Sequence, residues 1–346
     1  MPEDQSASRR YLIIGPSWVG DMVMAQSLFI TLKRKYPDCE IDVVSPEWSL
    51  PVLARMPEVR EGVALPVSHG NFGLAIRYRL GQVLRKKAYT HAIVLPRSWK
   101  SALVPFFARV PLRTGYKGEM RYGLLNDIRP LDKDVLKQTV QRYAAHACDG
   151  SDCAESPPET PYPALQFDRL NADRLLRELG LTLEKPVIGF MPGAEYGPAK
   201  QWPAGSFAEL AEMLTGEGFQ IWVLGSEKER GLGDSIVRDI PEGAYNLCGR
   251  TELVDVIDLI ALAEQVVTND SGLMHVAAAV DVMVNVIYGS STPDYTPPLT
   301  DSLNVFYRRL ECSPCFKRTC KFGHYACLTS ISPAEVYDQM QTKNVF

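Results

Sequence analysis

The stretch Val266-Val-Thr-Asn-Asp-Ser-Gly-Leu-Met-His275 constrains this chain more than any other. Just before it, Leu253, Val256, Ile257 and Ile260 recur at the i, i+3, i+4, i+7 spacing of an amphipathic helix. Residues 265–268 then read as a short β-branched strand, 268–272 as a turn of capping residues and 273–280 as a small-residue helix. A strand that ends in a polar turn and opens a helix leaves backbone N–H groups and the positive end of the helix dipole at that turn. Such a turn suits a phosphate or diphosphate. An ordinary helix cap by Asp270 or Ser271 is the plainer reading, and pattern alone does not separate the two.

The same alternation of strand and helix runs along the rest of the chain. Residues 11–14, 41–44 and 91–95 read as strands, with a helix over 21–36. After Pro186 the pattern restarts with a strand at 187–190, a helix at 206–216, a strand at 220–224, a helix at 253–264 and a strand at 283–288. Ser206 with Glu209, and Ser332 with Glu335, have capping-box spacing. Strands alternating with helices imply parallel βαβ units. Residues 150–163 carry four prolines and no apolar period, which reads as a linker. A chain of 346 residues is long enough for two domains. The expected plan is α/β, with two Rossmann-like doubly wound domains facing a central cleft and binding ligands at strand C-terminal ends. Its parts are a disordered polar tail at 1–10, a first domain at 11–163, a second at 164–330, and a last helix at 331–346 packing back on the first domain.

Charge and hydropathy exclude some functions. The formal net charge of -4 gives no reason to expect nucleic acid. No apolar run is long enough for a transmembrane helix, and the polar head lacks a signal core, so the cytoplasm is the default.

Several constellations carry chemistry. Gly15-Pro-Ser-Trp-Val-Gly20 has the glycine spacing of a P-loop, but Asp21 and Met22 follow where Lys and Ser or Thr belong. A carboxylate repels phosphate. At a helix N-terminus it is favoured in its ionised form, which suits a general base as well as a simple cap. The loop Pro192–Pro203 offers Gly193 and Gly197 for close backbone approach and Lys200 as a mobile charge. Trp202 either packs that loop or stacks on a base. His275 falls one helical turn beyond Asp270 and Ser271, as a pocket residue or a packed histidine. Residues 97–109 and 113–121 form a basic, aromatic region that either holds an acidic acceptor or is a solvated face. Of eight cysteines, Cys312, Cys315, Cys320 and Cys327 cluster, with His324 among them. Those are zinc ligand types, and the first CxxC fits, but the remaining spacing matches no common zinc module. Packed or redox-labile thiols compete with a structural zinc.

Together, GPSWVGDMVMAQSL, SWKSALVPFFARVPLRTGYKGEMRYGLLND, PGAEYGPAKQWP, TNDSGLMHVAAA and YGSSTPDYTPP resemble the heptosyltransferases of glycosyltransferase family 9. The likeness runs over about 11–300 and the last helix, and the long first-domain match favours the type II branch over type I. It implies a GT-B fold and an inverting transfer. L-glycero-D-manno-heptose would pass from ADP-heptose to the first heptose of the lipopolysaccharide inner core. No metal would be needed for transfer, and the enzyme would work peripherally at the inner face of the inner membrane. By the same likeness Asp21 matches the base, and Lys200 the lysine on the donor phosphate. Asp270, Ser271, Gly272 and His275 match the donor motif, and Ala194 and Glu195 line the donor site. Lys100, Arg113 and Arg121 are the expected acceptor contacts. The polar head and the cysteine cluster depart from the pattern. Two other readings stay open: a family transferase for another heptose or core position, and a sugar-nucleotide binder without transfer activity.

Overall fold

The computed structural model describes residues 9–67, 72–149, 153 and 155–342. Of the expected tail at 1–10, residues 1–8 lie outside them, while Arg10 is not part of a disordered tail but opens the first strand, paired with its neighbours. The chain divides into two units, Met1–Pro163 and Ala164–Phe346. Each is built on one six-stranded sheet whose paired strands all run parallel.

In the first unit the strands are β1 (Arg10–Ile14), β2 (Glu40–Ser45), β3 (Glu61–Ala64), β4 (His91–Val94), β5 (Leu112–Tyr116) and β6 (Asp127–Arg129), in the order β3-β2-β1-β4-β5-β6. In the second they are β7 (Val187–Met191), β8 (Gln220–Val223), β9 (Ala244–Asn246), β10 (Gln265–Asn269), β11 (Met283–Tyr288) and β12 (Leu303–Tyr307), in the order β12-β11-β10-β7-β8-β9. Counted within its own unit, each sheet has the doubly wound order 3-2-1-4-5-6. The winding therefore reverses between β1 and β4, and again between β7 and β10. At such a switch point neighbouring loops leave in opposite directions and open a crevice at the strand C-termini.

The central strands are hydrophobic runs because helices cover both faces. β7 and β10 are buried at every position. β3, β5, β6, β9 and β12, absent from the sequence reading, are mixed in polarity and lie towards the outside of the sheets. The helix Ala204–Gly216 buries Phe207, Leu210, Ala211 and Leu214 on one face. It starts two residues before Ser206, on Pro203, and no side chain caps it, so the expected Ser206–Glu209 box does not form. In the last helix, Pro333–Thr342, half of the expected box is present. The Ser332 hydroxyl accepts from the Glu335 N–H at 3.2 Å, while the Glu335 carboxylate is drawn to Arg308.

The structure corrects the expected seat of that helix. Val336 and Met340 are buried in the core of the second unit, together with Phe207 and Leu210. A ladder of buried amides ties it there. Asn285 donates to the Gln265 Oε1 at 2.9 Å, Asn304 donates to the Asn285 Oδ1 at 2.8 Å, and Gln265 and Asn304 reach the carbonyls of Met340 and Gln339 at 3.5 and 3.4 Å. A slip of one residue would put these amides among apolar side chains, so the ladder fixes the register of β10, β11 and β12. Cys148 and Cys153, not paired in the sequence reading, form a disulfide.

Asn285→Ala removes the middle rung and leaves buried partners without their bonds. It should cost about 2–4 kcal/mol, measured by urea denaturation of the purified chain. A loss within about 0.5 kcal/mol, the range of an ordinary surface substitution, would show that the ladder does not hold the register.

Candidate functional site

The second unit brings several of the expected donor residues to its switch point. β7 leads into the loop 192–203, in which a short turn, Pro198–Lys200, presents Lys200. β10 ends at Asn269, followed by Asp270, Ser271 and the helix Gly272–Ala279. Asn269 was not singled out in the sequence, yet it staples the two together. Its Nδ2 donates to the Pro192 carbonyl at 2.7 Å, and its Oδ1 accepts from the Trp202 N–H at 2.9 Å. Both ends of the Lys200 loop thus hang on one buried side chain. Trp202 packs rather than stacks: it is 1% exposed, lies edge-on to Phe207, and donates its ring N–H to the Ile331 carbonyl.

With the loop held, Lys200 Nζ meets Asp270 Oδ2 at 2.5 Å. The Ser291 hydroxyl donates to the same oxygen. The carboxylate is 4% exposed and the lysine 18%, so the pair is shielded on the carboxylate side and open on the ammonium side. Asp270 therefore does not cap the helix. Ser271 occupies the N-cap position and makes no side-chain cap bond. The start of this helix stands beside an ammonium, an arrangement that attracts an anion through dipole and charge together.

His275 lies one turn into the helix and is buried. Burial pushes its pKa down to about 4; the Asp270 charge opposes that and Lys200 adds to it. The ring is neutral at physiological pH. Ala194 is buried, and Glu195 is exposed and paired with Lys228 at 2.9 Å. Neither was placed by the sequence in that detail. Close approach shapes the rim. A Cβ on Gly289 would meet the Ala199 carbonyl oxygen at 2.5 Å, and one on Gly197, at φ +144°, the Arg318 carbonyl oxygen at 2.6 Å.

These contacts involve the cysteine strap, the segment 312–327 that carries the four clustered cysteines. Ala199 donates to the Arg318 carbonyl, and Cys315 and Phe316 donate to the Ser290 carbonyl, so the strap braces the loops carrying Lys200 and Ser291. Cys312, Cys315, Cys320 and Cys327 are free thiols, and Cys327 packs against the second unit's core. Among the described residues no three His, Cys, Asp or Glu side chains stand in metal-ligating geometry.

In the first unit Asp21 is the third residue of the helix Val19–Lys35, directly after the β1 turn. It is not the N-cap, which is Trp18. The Tyr143 hydroxyl donates to its Oδ1 at 3.1 Å, from a helix at Thr139–Ala144. No local motif signals Tyr143, because it reaches Asp21 only through the fold. The carboxylate is half-buried at the β1 edge of the switch point.

Two of the three expected acceptor contacts are engaged elsewhere, and this is a correction. Arg121 is 1% exposed and donates to the carbonyls of Pro96 and Tyr116. Arg113 donates to Leu124 and Val110 carbonyls at 2.6 Å each. Burial lowers the pKa of both. They hold the loops after β4 and β5 together rather than presenting charge to a ligand. Lys100 is half-buried in the short turn Trp99–Ala102.

The model of glycosyltransferase family 9 (heptosyltransferase) matches residues 77–326. The chain is 45% identical over 340 residues to lipopolysaccharide heptosyltransferase 2 of Salmonella typhimurium, covering 96% of this chain and 98% of the relative. The chain belongs to glycosyltransferase family 9. Lipooligosaccharide heptosyltransferase 2 of Haemophilus influenzae is 48% identical over 305 residues, covering 85% of this chain and 87% of that one. The solved structure of E. coli ADP-heptose LPS heptosyltransferase II superposes with a TM-score of 0.86 at 42% identity, over 96% of this chain and 98% of that chain. The expected α/β, GT-B class and glycosyltransferase activity are those of the family.

The low pKa of His275 is matched by His146, also held at about 4 by burial, in the first unit. Against an ordinary value of 6.5, both folded pKa values are depressed. The stability contributed by the neutral rings is complete above the unfolded value and is lost as pH falls towards the folded one. Tm should therefore drop between pH 6.5 and about 4, and His275→Gln should flatten part of that slope. A Tm profile with the same slope in wild type and variant would refute the assignment to His275.

Proposed function

We propose that the chain is an inverting transferase that moves L-glycero-D-manno-heptose from ADP-heptose to the first heptose of the lipopolysaccharide inner core. The observation that carries this is the Lys200–Asp270 pair, brought together across 70 residues at the switch point of the second sheet. It is joined by 42–48% identity to relatives that bear the heptosyltransferase 2 name.

The chemistry follows from what these side chains offer. A diphosphate arriving at the Gly272–Ala279 helix meets the open side of the Lys200 ammonium, which Asp270 holds from behind while the Ser291 hydroxyl donates to Asp270. As the bond from the anomeric carbon to the diphosphate breaks, charge gathers on the leaving oxygen, where Lys200 and the helix N-terminus stabilise it. The new bond forms from an acceptor hydroxyl, whose proton goes to Asp21 as general base. Tyr143 orients that carboxylate by donating to its Oδ1. Ser271 and Gly272 contribute the helix start, and neutral His275 a hydrogen-bonding ring. Lys100 is the remaining expected acceptor contact.

Because the acceptor is lipid-linked, the enzyme would work peripherally at the inner face of the inner membrane. No helix among the described residues is long and apolar enough to cross one.

Asp21→Asn should abolish transfer while ADP-heptose affinity stays within a few-fold. Lys200→Ala should raise donor KM and lower kcat together, since a charge-assisted contact to phosphate is worth about 1.5–3 kcal/mol. Mass spectrometry of products from a panel of truncated lipopolysaccharide acceptors reads both the activity and the core position. Wild-type turnover in Asp21→Asn would leave this residue a structural role. Transfer to a different core position would favour the second reading of the family, and donor binding without any product would favour a binder.

A structural zinc on Cys312, Cys315, Cys320 and Cys327 is proposed from residue type and the first CxxC alone, since these side chains do not stand in ligating geometry among the described residues. Elemental analysis of protein purified under reducing conditions should find about one zinc per chain, and finding none would leave four free thiols. Transfer should survive chelation in either case, because the proposed steps use Asp21 and Lys200.

A further inference from the structure

The helix Leu74–Arg85 and the segment that packs against it have an unusual charge pattern. Residues 72–87 and 99–113 contain eight Lys and Arg and no Asp or Glu, in a chain whose net charge is -4. The helix presses its Arg77, Gly81 and Leu84 side inward. The approach at Gly81 is tight: a Cβ there would stand 2.5 Å from the Phe107 Cβ and 3.0 Å from the Val104 carbonyl oxygen. This close seat fixes what faces outward.

On the helix edge beside that seat, Leu74 is 47% exposed and Tyr78 50% exposed. Tyr78 meets Phe107 edge-on at 5.2 Å, and Phe107 meets the exposed Phe106 at 5.7 Å. Just before the helix, the exposed rings of Phe72 and Trp99 touch at 4.9 Å. Arg77 links the two groups by donating to the carbonyls of Phe72 and Lys100. Three of the cations are engaged internally: Arg77 and Arg113 on carbonyls, Lys87 on Glu61 and Asp42. Arg79, Arg85, Lys86 and Arg109 are exposed around the rings. Large apolar patches rimmed by one sign of charge mark interaction surfaces. The carboxylates that meet this face come from outside its two segments, Asp42 and Glu61 on Lys87 and Glu119 on the Trp99 N–H, and the exposed cations around the rings favour an anionic partner.

We propose that this face of the first unit docks on an anionic lipid surface, with Tyr78, Phe106 and Trp99 entering the headgroup boundary and Arg79, Arg85, Lys86 and Arg109 pairing with lipid phosphates. Aromatic rings with a polar edge suit that boundary, and clustered cations beside them add attraction that salt weakens. The inference deepens the reading of a lipid-linked acceptor. Vesicles without lipopolysaccharide test it separately from transfer.

The full chain is floated with vesicles of phosphatidylethanolamine and phosphatidylglycerol, and with vesicles of phosphatidylcholine alone, at low and high salt. Binding should need phosphatidylglycerol and weaken with salt. Arg79→Glu, Arg85→Glu and Lys86→Glu together should lower partitioning by on the order of 100-fold. The exposed charges Arg169, Arg177 and Lys185 of the second unit, reversed in the same way, should change it little. Tyr78→Ser with Phe106→Ser should remove the part of binding that survives high salt, while circular dichroism melts and solution transfer to a delipidated acceptor stay near wild type. Equal binding to both vesicle types, an equal loss in the two charge reversals, or sedimentation showing that Tyr78 and Phe106 instead bury a dimer contact would each overturn the proposal.

Discussion

The second unit's site depends on one buried carboxylate. Asp270 is almost fully withdrawn from water, and an unpaired charge there would be untenable. It is tolerated because Lys200 and Ser291 converge on it. Those partners come from the loops after β7 and β11, so solvating one oxygen draws three strand ends together. The lysine that balances the charge keeps an open side. The contact that stabilises the fold therefore also leaves a cation poised for an anion beside a helix start.

Such a convergence needs rigid supports. Asn269 pins the Lys200 loop at both ends, and the cysteine strap braces it from outside through Arg318, Cys315 and Phe316. Gly197 and Gly289 occur where a side chain would strike a carbonyl of the neighbouring loop. In the first unit the supports are simpler. Tyr143 holds Asp21, and Arg121 ties the loop after β4 to β5. One guanidinium joining two carbonyls crosslinks loops well, but once buried in that task it is lost to recognition at the surface.

Much of the architecture could be read from residue order. The central strands are uniform apolar runs, and helices such as Ala204–Gly216 show their buried stripe in the spacing of Phe207, Leu210, Ala211 and Leu214. The outer strands β3, β5, β6, β9 and β12 could not, since partly exposed strands of three to five residues carry no clear period. Asp21, Lys200, Asp270 and His275 stood out because they follow strands within glycine- or cap-rich turns. Asn269, Ser291 and Tyr143 did not, because their partners lie 67, 21 and 122 residues away.

By itself, then, the sequence determined the local periods, the turns and the chemical type of each exposed group. Backbone propensity and side-chain spacing are local, so they can be seen without a fold. Only the tertiary structure decided where the long-range bonds fall. It turned Asp270 from a helix cap into the partner of Lys200, and Arg113 and Arg121 from ligand contacts into loop ties. It also seated the last helix on the second unit through the Gln265–Asn285–Asn304 ladder. Each outcome rests on burial, which makes a polar group seek whichever partner the fold brings near, however distant in the chain.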